Sequence, residues 1–179
     1  MKTGSQREEK MGLIHIYCGD GKGKTTAAIG LAVRGAGSGM RMCFAQLMKG
    51  SFTSELNTLA LIPDIDVMRC DRDYGFVKNM SDDDKALLTM CHNDLLKKSF
   101  SGDYDMIILD EFNSAYYHGL LDKTAAAEFI LNGRKNAEII LTGRDPAGIF
   151  TDAADYISEI GCIRHPYQNG VSARVGIEF

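Results

Sequence analysis

The chain has no cysteine pair at C-x-x-C spacing, and its five cysteines (Cys18, Cys43, Cys70, Cys91, Cys162) are odd in number and far apart. That pattern argues against both a disulfide framework and a zinc knuckle, so the expectation is reduced thiols in a cytosol. Positive charge is not in excess either. With 20 Lys and Arg against 24 Asp and Glu the net charge is −4, which leaves no electrostatic footprint for nucleic acid. No apolar run approaches the ~18 residues that span a bilayer. The first ten residues, MKTGSQREEK, lack the apolar centre of a secretory signal. A soluble cytoplasmic protein with neither nucleic acid nor membrane as partner is expected. The four histidines (His15, His92, His118, His165) show no ligand spacing. No Ser/His/Asp or Cys/His arrangement supplies a protein nucleophile.

What is present is a chain of 179 residues, 45% hydrophobic and 25% charged, without repeats, low-complexity tracts or linkers. Such a chain buries roughly 70% of its unfolded surface as one domain. That domain is expected over residues 12–179, with residues 1–11 a mobile tail or a short helix. Its centre is Leu13–Ile29, LIHIYCGDGKGKTTAAI, an apolar strand, a glycine-lysine turn and a helix start. Gly19, Gly21 and Gly23 allow successive backbone N–H groups to converge on anionic oxygens at the positive end of the next helix. Lys24 then reaches terminal phosphates and Thr25 faces a Mg²⁺. The spacing departs from G-x-x-x-x-G-K-S/T, because Cys18 stands where the first glycine belongs, and a tighter loop is expected. The alternative is a glycine-rich turn with no ligand.

In chain order, strands are expected at Leu13–Cys18, Arg41–Met48, Ile65–Cys70, Asp103–Glu111 and Ala137–Leu141, with helices at Thr25–Gly35, Thr53–Leu61, Ser81–Ser99 and Asp122–Leu131. The first helix, rich in Ala, Ile, Leu and Val, reads as buried on most sides. Ser81 and Asp84 stand at capping-box spacing. A period-two pattern within Cys162–Phe179 reads as a sheet-edge strand. The alternation makes an α/β domain with a mostly parallel central sheet flanked by helices and an edge strand at the C-terminus. Asp110 and Glu111 close an apolar strand as carboxylates that hold Mg²⁺ directly or through water. Arg144 follows the fifth strand at the carboxyl edge, where it reaches a phosphate or pairs with an acid. Phe76 lies in a charged loop, DRDYGFVKN, and either contacts a ligand or plugs a core edge.

The whole pattern resembles the P-loop ATP:corrinoid adenosyltransferases. The likeness rests on Gly19-Asp20-Gly21-Lys22-Gly23-Lys24-Thr25-Thr26-Ala27-Ala28, then Lys49-Gly50, Gly75-Phe76 and Leu109-Asp110-Glu111. It continues through Thr142-Gly143-Arg144, Ala154-Asp155 with Glu159, His165-Pro166, Ala173-Arg174 and Gly176-Ile177-Glu178. The resemblance implies a RecA-like sheet, a homodimer, ATP and a corrinoid as substrates, Mg²⁺ (or Mn²⁺), and a flavoprotein reductase as a candidate electron donor. It also implies transfer of the 5′-deoxyadenosyl group to Co(I) with release of triphosphate. Gly19 through Thr26 and Arg144 become the nucleotide set, and Thr25, Asp110 and Glu111 the metal set. Lys24 and Phe76 become the catalytic pair, with Phe76 under the corrin in place of the lower axial ligand. Lys78 departs from the enteric members, which carry an aromatic there. Rival readings are a P-loop ATPase or kinase, which leaves ADP, and a nucleotide-dependent binding module. The zinc-binding cysteine module of type II thymidine kinases is missing from this sequence.

Overall fold

The computed structural model describes residues 12–51, 53–133 and 137–179, so the expectation for residues 1–11 lies outside the described residues. Six strands run β1 (Ile14–Cys18), β2 (Met42–Gln46), β3 (Ile65–Arg69), β4 (Met106–Asp110), β5 (Glu138–Thr142) and β6 (Tyr156–Glu159). They form one sheet in the order β3-β2-β4-β5-β1-β6, and every pairing is parallel. The helices are α1 (Lys24–Gly37), α2 (Glu55–Leu59), α3 (Asp82–Ser99), α4 (Phe112–Tyr117), α5 (Lys123–Gly133) and α6 (Gly148–Thr151). No helix among the described residues is long and apolar enough to cross a membrane.

Every residue of β2 and β4 is buried, as expected of parallel strands covered on both faces. Their side chains alternate between two core layers. Met42, Phe44 and Ile108 pack with Ala28 and Ala32 of α1, while Cys43, Ala45, Ile107 and Leu109 pack with Leu96, Phe112, Ile130 and Phe150 from α3, α4, α5 and α6. A third cluster joins Cys70, Met80, Leu88, Leu95 and Leu120 beneath the loop that carries Phe76. Ser81 caps α3 as the spacing predicts, accepting from the Asp84 backbone N–H at 3.1 Å and donating to the Asp84 carboxylate at 2.7 Å.

Three expectations are corrected. Helix α1 buries a single stripe, Ala28, Ala32 and Gly35, and leaves Val33 about half exposed. It lies on one sheet face, and the apolar content of its outer side does not mark a second burial surface. The edge strand is β6, which pairs with β1 from His15–Tyr156 to Cys18–Glu159. The period-two segment Ser172–Ile177 is instead turned by Gly176 at φ 75° and by Arg174, whose guanidinium and backbone N–H both donate to Glu178. Finally, Cys70 and Cys91 are disulfide-bonded with Cα atoms 6.2 Å apart, leaving Cys18, Cys43 and Cys162 free. Sequence spacing could not show this, because the bond depends on α3 packing against the end of β3.

A cross-link spanning 21 residues constrains the unfolded chain by about 3 kcal/mol in the loop-entropy account. Cys70→Ser with Cys91→Ser should therefore lower unfolding stability by about that amount. Denaturant titration of the wild type with and without dithiothreitol checks it, and identical curves would contradict it.

Candidate active site

The loop between β1 and α1 is held open by glycine for two separate reasons. Gly19 (φ 98°) and Gly23 (φ 124°) sit in backbone conformations closed to other residues. Gly19 and Gly21 also press on the chain just past β6. A Cβ on Gly19 would lie 2.5 Å from the Ile160 carbonyl oxygen, and one on Gly21 2.6 Å from it. That contact is bonded, since the Gly21 N–H donates to Ile160 O at 2.8 Å and the Ile160 N–H to Cys18 O at 2.9 Å. Asp20 accepts from the Cys162 N–H at 3.0 Å. The edge strand thus braces the phosphate loop, and Asp20 belongs to that brace.

Lys24 opens α1, and its ammonium donates to Gly21 O at 2.7 Å. Thr25 Oγ1 donates to Asp110 Oδ1 at 2.8 Å. Strand β4 is separated from β1 by β5, and Thr142 of β5 bridges the gap. Its hydroxyl donates to Asp110 Oδ1 at 2.7 Å and accepts the Glu111 N–H at 2.9 Å. Asp110 is wholly buried and accepts also from Gln46 Nε2 at 3.3 Å and Lys49 Nζ at 3.0 Å. Burial works against the Lys49 ammonium, but Asp110, with Glu111 and Glu55 adding to it, outweighs burial and holds Lys49 above its ordinary range. Lys49 lies 3.4 Å from Thr25 Oγ1, so an ammonium, a hydroxyl and a carboxylate converge at the carboxyl edge of the sheet.

Glu111 takes the left-handed conformation (φ 60°) that ends β4 and starts α4. Its carboxylate accepts from Ser114 at 2.7 Å. It lines both the cleft beside the phosphate loop and the cavity toward Phe76. The cleft, of roughly 570 Å³, is walled by α1 with Thr26, by α2 and by the C-terminal residues 176–179. Lys22 donates to Ile177 O across it. Of the two aromatics in the Asp71–Asn79 loop, Tyr74 is the anchor, half-buried under the Arg72 guanidinium at 4.8 Å. Phe76 is 76% exposed and plugs no core. Arg144 is exposed and pairs with no acid among the described residues, and it lines the Phe76 cavity with Lys24 and Glu111.

Lys49, Thr142, Gln46 and His92 received no role from the sequence. Lys49 and Thr142 stand in the motif order, and only the fold shows that they meet Asp110. His92 supports the turn that presents Lys49. Its Nε2 accepts the N–H of Met48, a residue at φ 60°, at 3.1 Å, while its Nδ1 lies 2.9 Å from Leu120 O. Those partners select the neutral ring protonated at Nδ1, and burial pushes its pKa down.

The sheet order and loop define a RecA-like P-loop fold. A KaiC-like protein from the archaeon Pyrococcus horikoshii shares the fold, with a TM-score of 0.52 and 16% identity over 85% of this chain and 73% of that one. More specifically, residues 10–179 match the family model described as ATP:corrinoid adenosyltransferase BtuR/CobO/CobP, and the chain belongs to that enzyme family. It is 30% identical to the corrinoid adenosyltransferase CobA of Salmonella typhimurium over 98% of this chain and 89% of that protein. It is 28% identical to the corrinoid adenosyltransferase of Escherichia coli over the same shares.

Gly21→Ala should weaken nucleotide binding by about tenfold or more, because its Cβ meets backbone and displaces the phosphate-facing amides. Gly30→Ala, with nothing within 4 Å of its Cβ, serves as the control. Equilibrium binding of a fluorescent ATP analogue reads both, and equal affinities would refute the bracing role. The neutral His92 contributes stability fully above its unfolded value near 6.5, and that contribution is lost as pH falls through its lower folded value. Thermal unfolding between about pH 7.5 and about pH 5 should accordingly decline more steeply in wild type than in His92→Gln, and matching slopes would contradict this.

Proposed function

We propose that the chain transfers the 5′-deoxyadenosyl group of ATP to the cobalt of a corrinoid held as Co(I), with release of triphosphate. The observation that carries this reading is a shared cavity of roughly 630 Å³, in which the exposed ring of Phe76 and the Lys24 ammonium line one space. Phosphoryl transfer to water needs no exposed aromatic beside the phosphate loop, whereas a flat macrocyclic acceptor does. ATP lies with its phosphate chain reversed in the loop, so that C5′ faces the Phe76 side. The cobalt lone pair attacks C5′, the Co–C bond forms, and the C5′–O bond breaks with its electron pair leaving on triphosphate. Cobalt is oxidised formally by two electrons, so the protein needs neither nucleophile nor base.

The residues divide the remaining work. The amides of the loop from Gly19 to Thr25, other than the Gly21 N–H that is bonded to Ile160 O, counter charge on the leaving triphosphate, and Lys24 exchanges the Gly21 carbonyl for phosphate oxygens. Among the described residues no cluster of three or more His, Cys, Asp or Glu side chains forms a metal cage. The oxygen donors Thr25 and Glu111 would hold Mg²⁺ or Mn²⁺. Bound there, the ion would supply charge compensation for the triphosphate. Asp110, with four donors already, acts from behind Thr25. Phe76 packs beneath the corrin and keeps the lower axial position empty, which eases formation of Co(I) from Co(II) supplied by a flavoprotein reductase. We place the enzyme in the cytoplasm as a homodimer. The exposed apolar edge at Tyr156, Ile157 and Ile163 supports that assembly.

With ATP, Mg²⁺ and a chemically reduced corrinoid, triphosphate should appear in balance with a light-sensitive alkylcorrinoid and with little ADP. Corrinoid-independent release of ADP and phosphate at comparable rates would overturn the reading in favour of an ATPase. Lys24→Ala should lose most of the activity. Phe76→Ala should slow turnover of Co(II) corrinoid supplied with an enzymatic reductant and largely spare prepared Co(I). Equal loss on both substrates argues against its place under the corrin.

A further inference from the structure

We infer that Asn113 is a positioning residue of the nucleotide site, which sets where Arg144 stands by holding the carbonyl of Gly143. The inference rests on the proposed reading of Arg144 as a phosphate contact and adds the group that aims it.

Asn113 lies in the first turn of α4 and is 1% exposed. Its Nδ2 donates to Gly143 O at 3.4 Å. Its Oδ1 is buried and has no hydrogen-bond partner among the described residues. An unpaired buried acceptor destabilises a fold, and a native one calls for an explanation. Stability gives little reason for an amide whose single bond is long and whose other end is unsatisfied. The place of that bond gives a better one.

Gly143 is the pivot on which Arg144 turns. Its φ of 126° lies in a region closed to other residues, and it has no side chain to fix the bond that follows. The chain up to it is held, because the Gly143 N–H donates to Tyr17 O at 3.2 Å. Beyond it, the Gly143 carbonyl and the Arg144 N–H share one peptide plane. Fixing the carbonyl fixes that plane, and with it the direction in which Arg144 leaves the sheet. No other group does so, since the exposed guanidinium makes no hydrogen bond or ion pair among the described residues. Helix α4 also closes on the pivot sterically. A Cβ on Gly143 would lie 3.0 Å from Ser114 N and 3.1 Å from Asn113 Cβ. The same turn carries Glu111, held by Ser114 at 2.7 Å, so α4 aligns the carboxylate closing β4 with the guanidinium that follows β5.

The test is a double-variant cycle read by equilibrium binding of a fluorescent ATP analogue with Mg²⁺, with thermal melting measured alongside. Arg144→Ala should weaken binding about tenfold, as loss of a charged hydrogen bond does. Asn113→Leu exchanges one unpaired buried oxygen for another and keeps a branched side chain, whereas Asn113→Ala leaves a cavity and should melt lower. Both should weaken the analogue by the same factor, about threefold, despite their different melting temperatures. Combined with Arg144→Ala, neither should weaken binding further, because the contact being aimed is already gone. A merely structural role gives affinities that follow the melting temperature, or an additive loss of about thirtyfold in the double variant. Either result overturns the inference, and so does an Arg144→Ala that binds as wild type does. If Asn113→Leu does not fold, the cycle with Asn113→Ala decides by the same comparison. The measurement uses no corrinoid, so the inference can fail while adenosyl transfer stands. ADP as the product of turnover would overturn the proposed function and leave this coupling intact.

Discussion

One buried carboxylate holds the site together. Asp110 ends the central strand β4 with no solvent contact and accepts from Thr25 on α1, Gln46 on β2, Lys49 after β2 and Thr142 on β5. A charge removed from water is tolerated only when it is paired and hydrogen-bonded. Each of those four elements is therefore held in register by the same group. Removing a partner from such a site typically costs about 3–5 kcal/mol, because the remaining charge is left uncompensated. The dependence also runs toward the proposed function, since the Thr25 hydroxyl that we propose faces a metal is aimed by Asp110, and the charge of the lysine beside it is balanced there.

The phosphate loop depends on a second constraint, the approach of the chain after β6. Glycine at positions 19 and 21 is required because backbone at Ile160 and Gly161 fills the space a Cβ would need. Glycine at 23 is required by its φ alone. The shortened loop is consequently supported from the sheet edge as well as from its own helix. The edge strand therefore braces the glycine loop, and in the proposed reading its loss would loosen the amides that meet the phosphates.

The proposed acceptor side is arranged on a loop anchored at both ends. Cys70, bonded to Cys91, fixes its start, and the Ser81 cap of α3 fixes its finish. Between them Tyr74 packs inward under Arg72 while Phe76 stands outward. A half-anchored loop of this kind presents an aromatic without burying it, which suits contact with a large flat substrate.

Much of this was legible in the sequence, and for identifiable reasons. Uninterrupted apolar strands, the glycine-lysine turn and the Ser81–Asp84 spacing are local signals, and each depends on residues within a few positions of one another. They determined the parallel α/β sheet, the position of the phosphate loop and the carboxylates closing β4. Tertiary structure alone decided whatever depends on distant segments meeting. It chose β6 over Ser172–Ile177 as the edge, because alternation of side chains cannot say whether a partner strand lies alongside. It joined Cys70 to Cys91, showed Phe76 to be exposed where the sequence left a core role open, and brought Lys49 and Thr142 onto Asp110. The sequence determined which groups were available for binding phosphate and metal. Which of them share one buried charge was decided by packing, because hydrogen bonds to a desolvated carboxylate form between residues 32 to 85 positions apart, a separation no local pattern records.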